Sequence, residues 1–152
     1  MALIAKTDGR DFRTYVLIGD GESHEGSIWE AAMAAAHHKL DNLVAITDYN
    51  HMSMDGPISE VMGLEPLTGK WASFGWSVRE VDGHDIEQIV EALDDAPFEP
   101  GRPSMIIAHT TKAKGLPMGE NNYRWHWAAL GDEDYAIVME QLAEAEKELK
   151  NE

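Results

Sequence analysis

Tyr15-Val16-Leu17-Ile18-Gly19-Asp20-Gly21-Glu22-Ser23-His24-Glu25-Gly26-Ser27-Ile28-Trp29-Glu30 is the stretch on which the fold turns. A four-residue β-prone run stops at Gly19-Asp20-Gly21, which reads as a buried strand feeding a loop. A helix is expected next. Ser27 and Glu30 have capping-box spacing, and Ile28, Ala31, Ala32, Ala35 and Ala36 give a small apolar face that can approach a sheet closely. Leu43-Val44-Ala45-Ile46 then reads as a second strand ending at Thr47-Asp48-Tyr49-Asn50. Strand, helix, strand is the unit of a parallel sheet.

The same alternation continues outward. Residues 51–72 contain Gly56-Pro57, Gly63, Pro66 and Gly69 and read as a long, irregular connection; loops of that length are usually functional or mobile. Trp76-Ser77-Val78-Arg79-Glu80-Val81 alternates as a strand does. Asp85 to Ala92 follows as a helix with Ile86, Ile89, Val90 and Leu93 on its apolar side. Ser104-Met105-Ile106-Ile107-Ala108 is a fourth strand, residues 115–127 a second long loop, and a last helix starts near Asp132, with acids that suit its dipole. The expected class is α/β, a mostly parallel sheet flanked by helices, in one domain spanning 1–152.

Composition narrows the partners. The 152 residues carry 28 Asp and Glu against 12 Lys and Arg, a formal net charge of -16. Phosphate backbones and anionic membrane surfaces both call for a basic face, so neither nucleic acid nor membrane is an expected partner. With no cysteine, disulfides, thiolate metal sites and thiol nucleophiles are excluded. No apolar run approaches the roughly 20 residues of a membrane span, and the expected location is the cytoplasm.

Several familiar signatures fail on spacing. Gly19-Asp20-Gly21 opens like a dinucleotide fingerprint, but His24 stands at the third glycine position. Gly69-Lys70 is followed by Trp71, which breaks a P-loop. Asp48, Asn50 and Asp55-Gly56 mimic a calcium loop, yet Met52, Ser53 and Ser59 occupy its ligand and turn positions. His37-His38 sits near a helix end, where the dipole is explanation enough. One pair remains. Asp20 and Asn50 end consecutive strands of one unit, so both are expected at the same crevice. A carboxylate and an amide oxygen suit Mg²⁺, and the glycines let backbone N–H groups approach a diphosphate. A tight turn beside a strand-end asparagine is the plain alternative.

Gly19-Asp20-Gly21, followed after residues 22–49 by Asn50, resembles the thiamine diphosphate motif. The run from Gly19 to Gly56 and the stretch Thr110 to Leu130 resemble transketolase, specifically its N-terminal cofactor-binding part. The resemblance covers nearly the whole chain. It implies a thiamine diphosphate-binding fold, present here as an incomplete domain, with 51–72 and 115–127 as functional loops. It implies thiamine diphosphate with Mg²⁺, or Ca²⁺ or Mn²⁺ in its place. Asp20, the Asn50 side chain and the Met52 carbonyl are the implied metal ligands. Gly19, Gly21, Asn50, Met52, Met54, Lys112 and His126 are the implied cofactor contacts. His126 is the implied group near the reacting carbons, and Glu25 an implied member of a carboxylate network across an interface between subunits. Each has a plainer reading: Met54 as core, His126 as a packed loop residue, Glu25 as a first-turn acid.

The implied reaction is transfer of a two-carbon ketol unit between sugar phosphates. Met1-Ala2-Leu3-Ile4-Ala5-Lys6 resembles the interior of a family helix, so a histidine-containing segment and a glycine-rich segment that precede it in the family are expected from another chain. A pyrimidine-domain transketolase subunit is the second expected partner, in an oligomer, and the isolated chain is expected to be inactive. Trp127 stands where the family has glycine. Alternatives are a truncated, non-catalytic domain that folds or self-associates, and a related ketol transferase acting on an unusual sugar.

Overall fold

The computed structural model describes residues 1–150. Four strands form one parallel sheet: β1 (Thr14–Gly19), β2 (Leu43–Tyr49), β3 (Ser77–Asp82) and β4 (Ser104–His109), in the order β1-β2-β4-β3. Helices α1 (Ala2–Thr7), α2 (Gly26–His37), α3 (Ile58–Val61), α4 (Leu67–Ser73), α5 (Ile86–Asp94) and α6 (Asp132–Leu149) surround or extend it. Among the described residues, no helix is long and apolar enough to cross a membrane.

The strand order sets which face each helix covers. From β1 through β2 to β3 the chain moves one way across the sheet, and from β3 it turns back to β4. Right-handed crossovers then place α5 on the face opposite α2 and α4. Packing follows this. On one face Ala32, Ala35, Leu67, Trp71 and Trp76 pack with Ala45, Met105 and Ile107. On the other, Ala92 and Ala96 pack with Val44, Val81, Ile106 and Ala108. Successive residues of β4 thus enter opposite cores, the period-2 rule of a sheet covered on both sides. The Trp76 indole N–H donates to the Ala32 carbonyl at 3.0 Å, tying the start of β3 to α2.

Four sequence expectations change. Tyr15, Val16 and Leu17 are exposed at 51%, 40% and 70%; β1 is an edge strand, and among the described residues only Ile18 of that run enters a core. Helix α2 begins at Gly26 with Glu25 at its N-cap, so Ser27 lies inside the first turn rather than capping it. The 3₁₀ turn Gly21–His24 sets this start, with the Glu25 N–H donating to the Glu22 carbonyl at 2.9 Å. Within 51–72 lie α3 and most of α4, whose four and seven residues are too short to show a helical period and begin after Pro57 and Pro66. In α5 the buried line is Ile89, Ala92 and Leu93, while Ile86 and Val90 lie exposed on its flank. Asp85 caps this helix by accepting the N–H groups of Glu87 and Gln88.

Candidate functional site

Every strand runs the same way, so the carboxyl ends of all four open onto one edge of the sheet. Gly19 is in register with Asp48, and the Asp20 N–H donates to the Asp48 carbonyl at 3.1 Å as β1 leaves the sheet. Asn50 follows β2 directly. Asp20 and Asn50 therefore reach the same cleft, of about 500 Å³. Gly19, Gly21 and Glu25 line it from the first loop, and Met52 and Met54 from the loop after β2. Lys112 and His126 reach it from the segment after β4. All the residues singled out from the sequence are thus brought together.

Asp20 is 1% exposed. Its Oδ1 accepts the Gly21 N–H at 2.7 Å, while Oδ2 is buried with no hydrogen-bond partner. Desolvation pushes its carboxyl above the usual carboxylate value, with the nearby Asp48 charge adding to the effect and the N–H groups of Gly21 and His51 opposing it. A buried carboxylate oxygen without a partner is costly, and a cation would relieve that cost. Asn50 offers a matching donor. Its Nδ2 donates to Asp48 Oδ2 at 2.9 Å, which fixes the direction of the amide, and its Oδ1 accepts the Met52 N–H at 3.0 Å. The donors fit a hard divalent cation. Among the described residues no three His, Cys, Asp or Glu side chains are grouped to hold a metal, so further ligands would be backbone, solvent or bound-anion oxygens.

The cleft's charge bears on what else it takes. Asp20, Glu22, Glu25, Asp48 and Asp55 line it together with Lys112. An anionic ligand entering this field meets repulsion unless a cation accompanies it. Lys112 Nζ lies 3.3 Å from Nδ1 of His126; an ammonium can only donate, so this contact uses the tautomer with the His126 proton on Nε2. The Gly21 N–H is engaged by Asp20, and the Gly19 N–H donates to Glu22 Oε2 at 2.6 Å. Met54 is 56% exposed at the rim. Glu25 is exposed, with its carboxylate 3.5 Å from the Ser27 hydroxyl. His126 and the exposed Trp127 close a short 3₁₀ turn, Tyr123–His126, within the second long loop.

Sequence reasoning passed over Asp48 as a positioning group. The Thr110 hydroxyl donates to Asp48 Oδ1, so Asp48 links the end of β4 to the Asn50 amide. Its signal was available: residues 48 and 50 share one side of an extended chain. Thr110 was not legible, because its place depends on β4 inserting beside β2.

Comparisons relate the chain to known proteins. A family model described as transketolase, thiamine diphosphate binding domain, matches residues 5–149. The chain is 42% identical over 152 residues to an apulose-4-phosphate transketolase subunit of Phocaeicola vulgatus, covering 100% of this chain and 54% of that protein. It is 45% identical over 148 residues to the 6-deoxy-6-sulfo-D-fructose transketolase subunit SqwG of Clostridium sp., covering 97% and 53%. Among solved structures, a transketolase from Campylobacter jejuni superimposes with a TM-score of 0.83 at 36% identity, covering 92% of this chain and 22% of that one. The chain spans about half the length of the curated relatives it matches.

Proposed function

The chain belongs to the transketolase family, matching its thiamine diphosphate-binding domain, and we propose that it forms the Mg²⁺- and diphosphate-binding part of a ketol transferase. The observation that carries this reading is the partnerless, buried Oδ2 of Asp20 in the cleft shared with Asn50. In this reading Asp20, the Asn50 amide oxygen and the Met52 carbonyl hold Mg²⁺. Gly19 and Gly21 leave room for the diphosphate, Lys112 offsets its charge, and Met54 packs on the cofactor. When bound, thiamine diphosphate supplies the carbon nucleophile and electron sink for a two-carbon unit. The His126 Nε2–H is placed to hydrogen-bond a substrate hydroxyl or move its proton, and Glu25 faces a carboxylate network across an interface between subunits. Activity requires a partner chain carrying the pyrimidine-binding domain, in an oligomer in the cytoplasm.

The substrates are a ketose phosphate donor and an aldose phosphate acceptor. The names of the two relatives, one an apulose-4-phosphate and the other a 6-deoxy-6-sulfo-D-fructose transketolase subunit, favour a second reading within the same chemistry, an unusual sugar as donor.

The test is thermal unfolding of the chain with Mg²⁺, with thiamine diphosphate, and with both. Ligand at 100 times its dissociation constant adds about 2.7 kcal/mol, a rise of roughly 5–10 °C for a domain of this size. The rise is expected with both together and with neither alone. No rise at millimolar concentrations of both contradicts the proposal.

A further inference from the structure

The turn after β3, Asp82-Gly83-His84-Asp85, lies against the chain leaving β4. The Gly83 N–H donates to the His109 carbonyl at 2.8 Å. The Thr111 N–H donates to Nε2 of His84 at 2.7 Å. The His84 N–H in turn donates to Asp82 Oδ1 at 2.9 Å, which fixes the turn from below. The next residue, Lys112, lines the cleft, and the segment folds back on itself where the Asn121 N–H donates to the Lys112 carbonyl at 3.1 Å. His126 follows, in hydrogen-bond reach of Lys112. His84 is not among the residues lining the cleft; its influence runs through the backbone of this loop.

We propose that His84 is a positioning residue: as the Nδ1–H tautomer its Nε2 accepts the Thr111 N–H and pins the start of the loop that carries Lys112 and His126 into the cleft. The weight of that loop in function rests on the ketol-transferase reading; the pin itself does not. A backbone N–H can only donate, so the proton of a neutral His84 must sit on Nδ1. A second proton makes both ring nitrogens donors and ends the contact. Carboxylates from two elements neighbour the ring. Asp82 and Asp85 lie on its own turn. From the loop comes Glu120, held below its usual value chiefly by the Gly115 N–H and in smaller part by Lys114 and His84. The pin therefore needs a bare Nε2 to accept the Thr111 N–H.

The test is amide exchange of the full chain followed residue by residue, with nitrogen spectra of the histidine side chains. Loss of one hydrogen bond is worth about a tenfold change. In His84→Ala, protection of the Thr111 amide is expected to fall about tenfold while Ile106 and Ile107 in β4 keep theirs. His84→Gln places an amide oxygen near the Nε2 position, so it should restore protection. In the wild-type chain at neutral pH, His84 should show a bare Nε2 and a protonated Nδ1. Unchanged Thr111 protection in His84→Ala, or a protonated Nε2 in the neutral wild-type ring, overturns the proposal; the second reading stands even if the alanine variant fails to fold. None of these signals needs cofactor. Failure of the wild-type chain to bind thiamine diphosphate would count against the proposed function and leave the His84 result intact.

Discussion

Asp20→Asn is expected to abolish Mg²⁺-dependent binding of thiamine diphosphate while raising the unfolding midpoint of the ligand-free chain. The two effects have one origin. Asp20 is 1% exposed, and its Oδ2 has no hydrogen-bond partner. Burial pushes its carboxyl above the usual value. A carboxyl so raised stabilises the fold only where it is protonated, and that contribution is lost as pH rises through the folded-state value. Where it is ionised, the group is therefore a liability that a bound cation relieves. Asparagine keeps the shape and an oxygen for the Gly21 N–H but removes the charge. Loss of groups that merely orient metal ligands costs about 10–100-fold in affinity, and loss of a ligand itself should cost no less. Calorimetric titration at neutral pH measures the binding, and thermal scans from neutral to acidic pH measure the stability. The variant's advantage should shrink on acidification. Retained cofactor binding, or a lower midpoint at neutral pH, would contradict this role for Asp20.

Gly83→Ala should damage the same cleft without touching it. A Cβ at position 83 would lie 2.3 Å from Cγ2 of Thr110, 3.1 Å from the His109 carbonyl oxygen and 3.2 Å from the Ala108 Cβ. The first contact is impossible, so Thr110 has to move. Its hydroxyl is the group that bonds Asp48, and Asp48 holds the Asn50 amide. Overpacking of this kind costs about 1–3 kcal/mol, and misorienting a metal ligand adds about tenfold or more in cofactor affinity. The specific check is Thr110→Ser in the Gly83→Ala background, which deletes Cγ2 and keeps the hydroxyl. It should recover most of both losses, whereas Thr110→Val, which deletes the hydroxyl, should not restore affinity. Equal behaviour of the two double variants would break the proposed link from Thr110 through Asp48 to Asn50.

How far the sequence carries depends on the range of the interaction. Asp20 and Asn50 are legible because consecutive parallel strands put their carboxyl ends side by side, and glycines around Asp20 mark a loop rather than a core. The β-α alternation gives the sheet for the same reason. The exposure of Tyr15, Val16 and Leu17 is not legible, since an apolar run reads alike in a central and an edge strand. Helix α4 is hidden by its length and by Gly69 within it. The groups that hold the site in place are the hardest to see. Thr110 and His84 act only because β4 inserts between β2 and β3, bringing residues far apart in sequence to one edge. The resemblance to transketolase supplied Lys112 and His126, which local pattern alone would have left as loop residues.

The most direct measurement of the Asp20–Asn50 site uses Mn²⁺ in place of Mg²⁺, with amide signals of the chain recorded with and without thiamine diphosphate. A paramagnetic ion broadens the signals nearest to it. With both ligands present, broadening should centre on residues 19–22 and 48–53 and should weaken in Asp20→Asn. Broadening centred on the acidic surface of α6, or a pattern that thiamine diphosphate leaves unchanged, would show that the cation does not sit at Asp20 and Asn50.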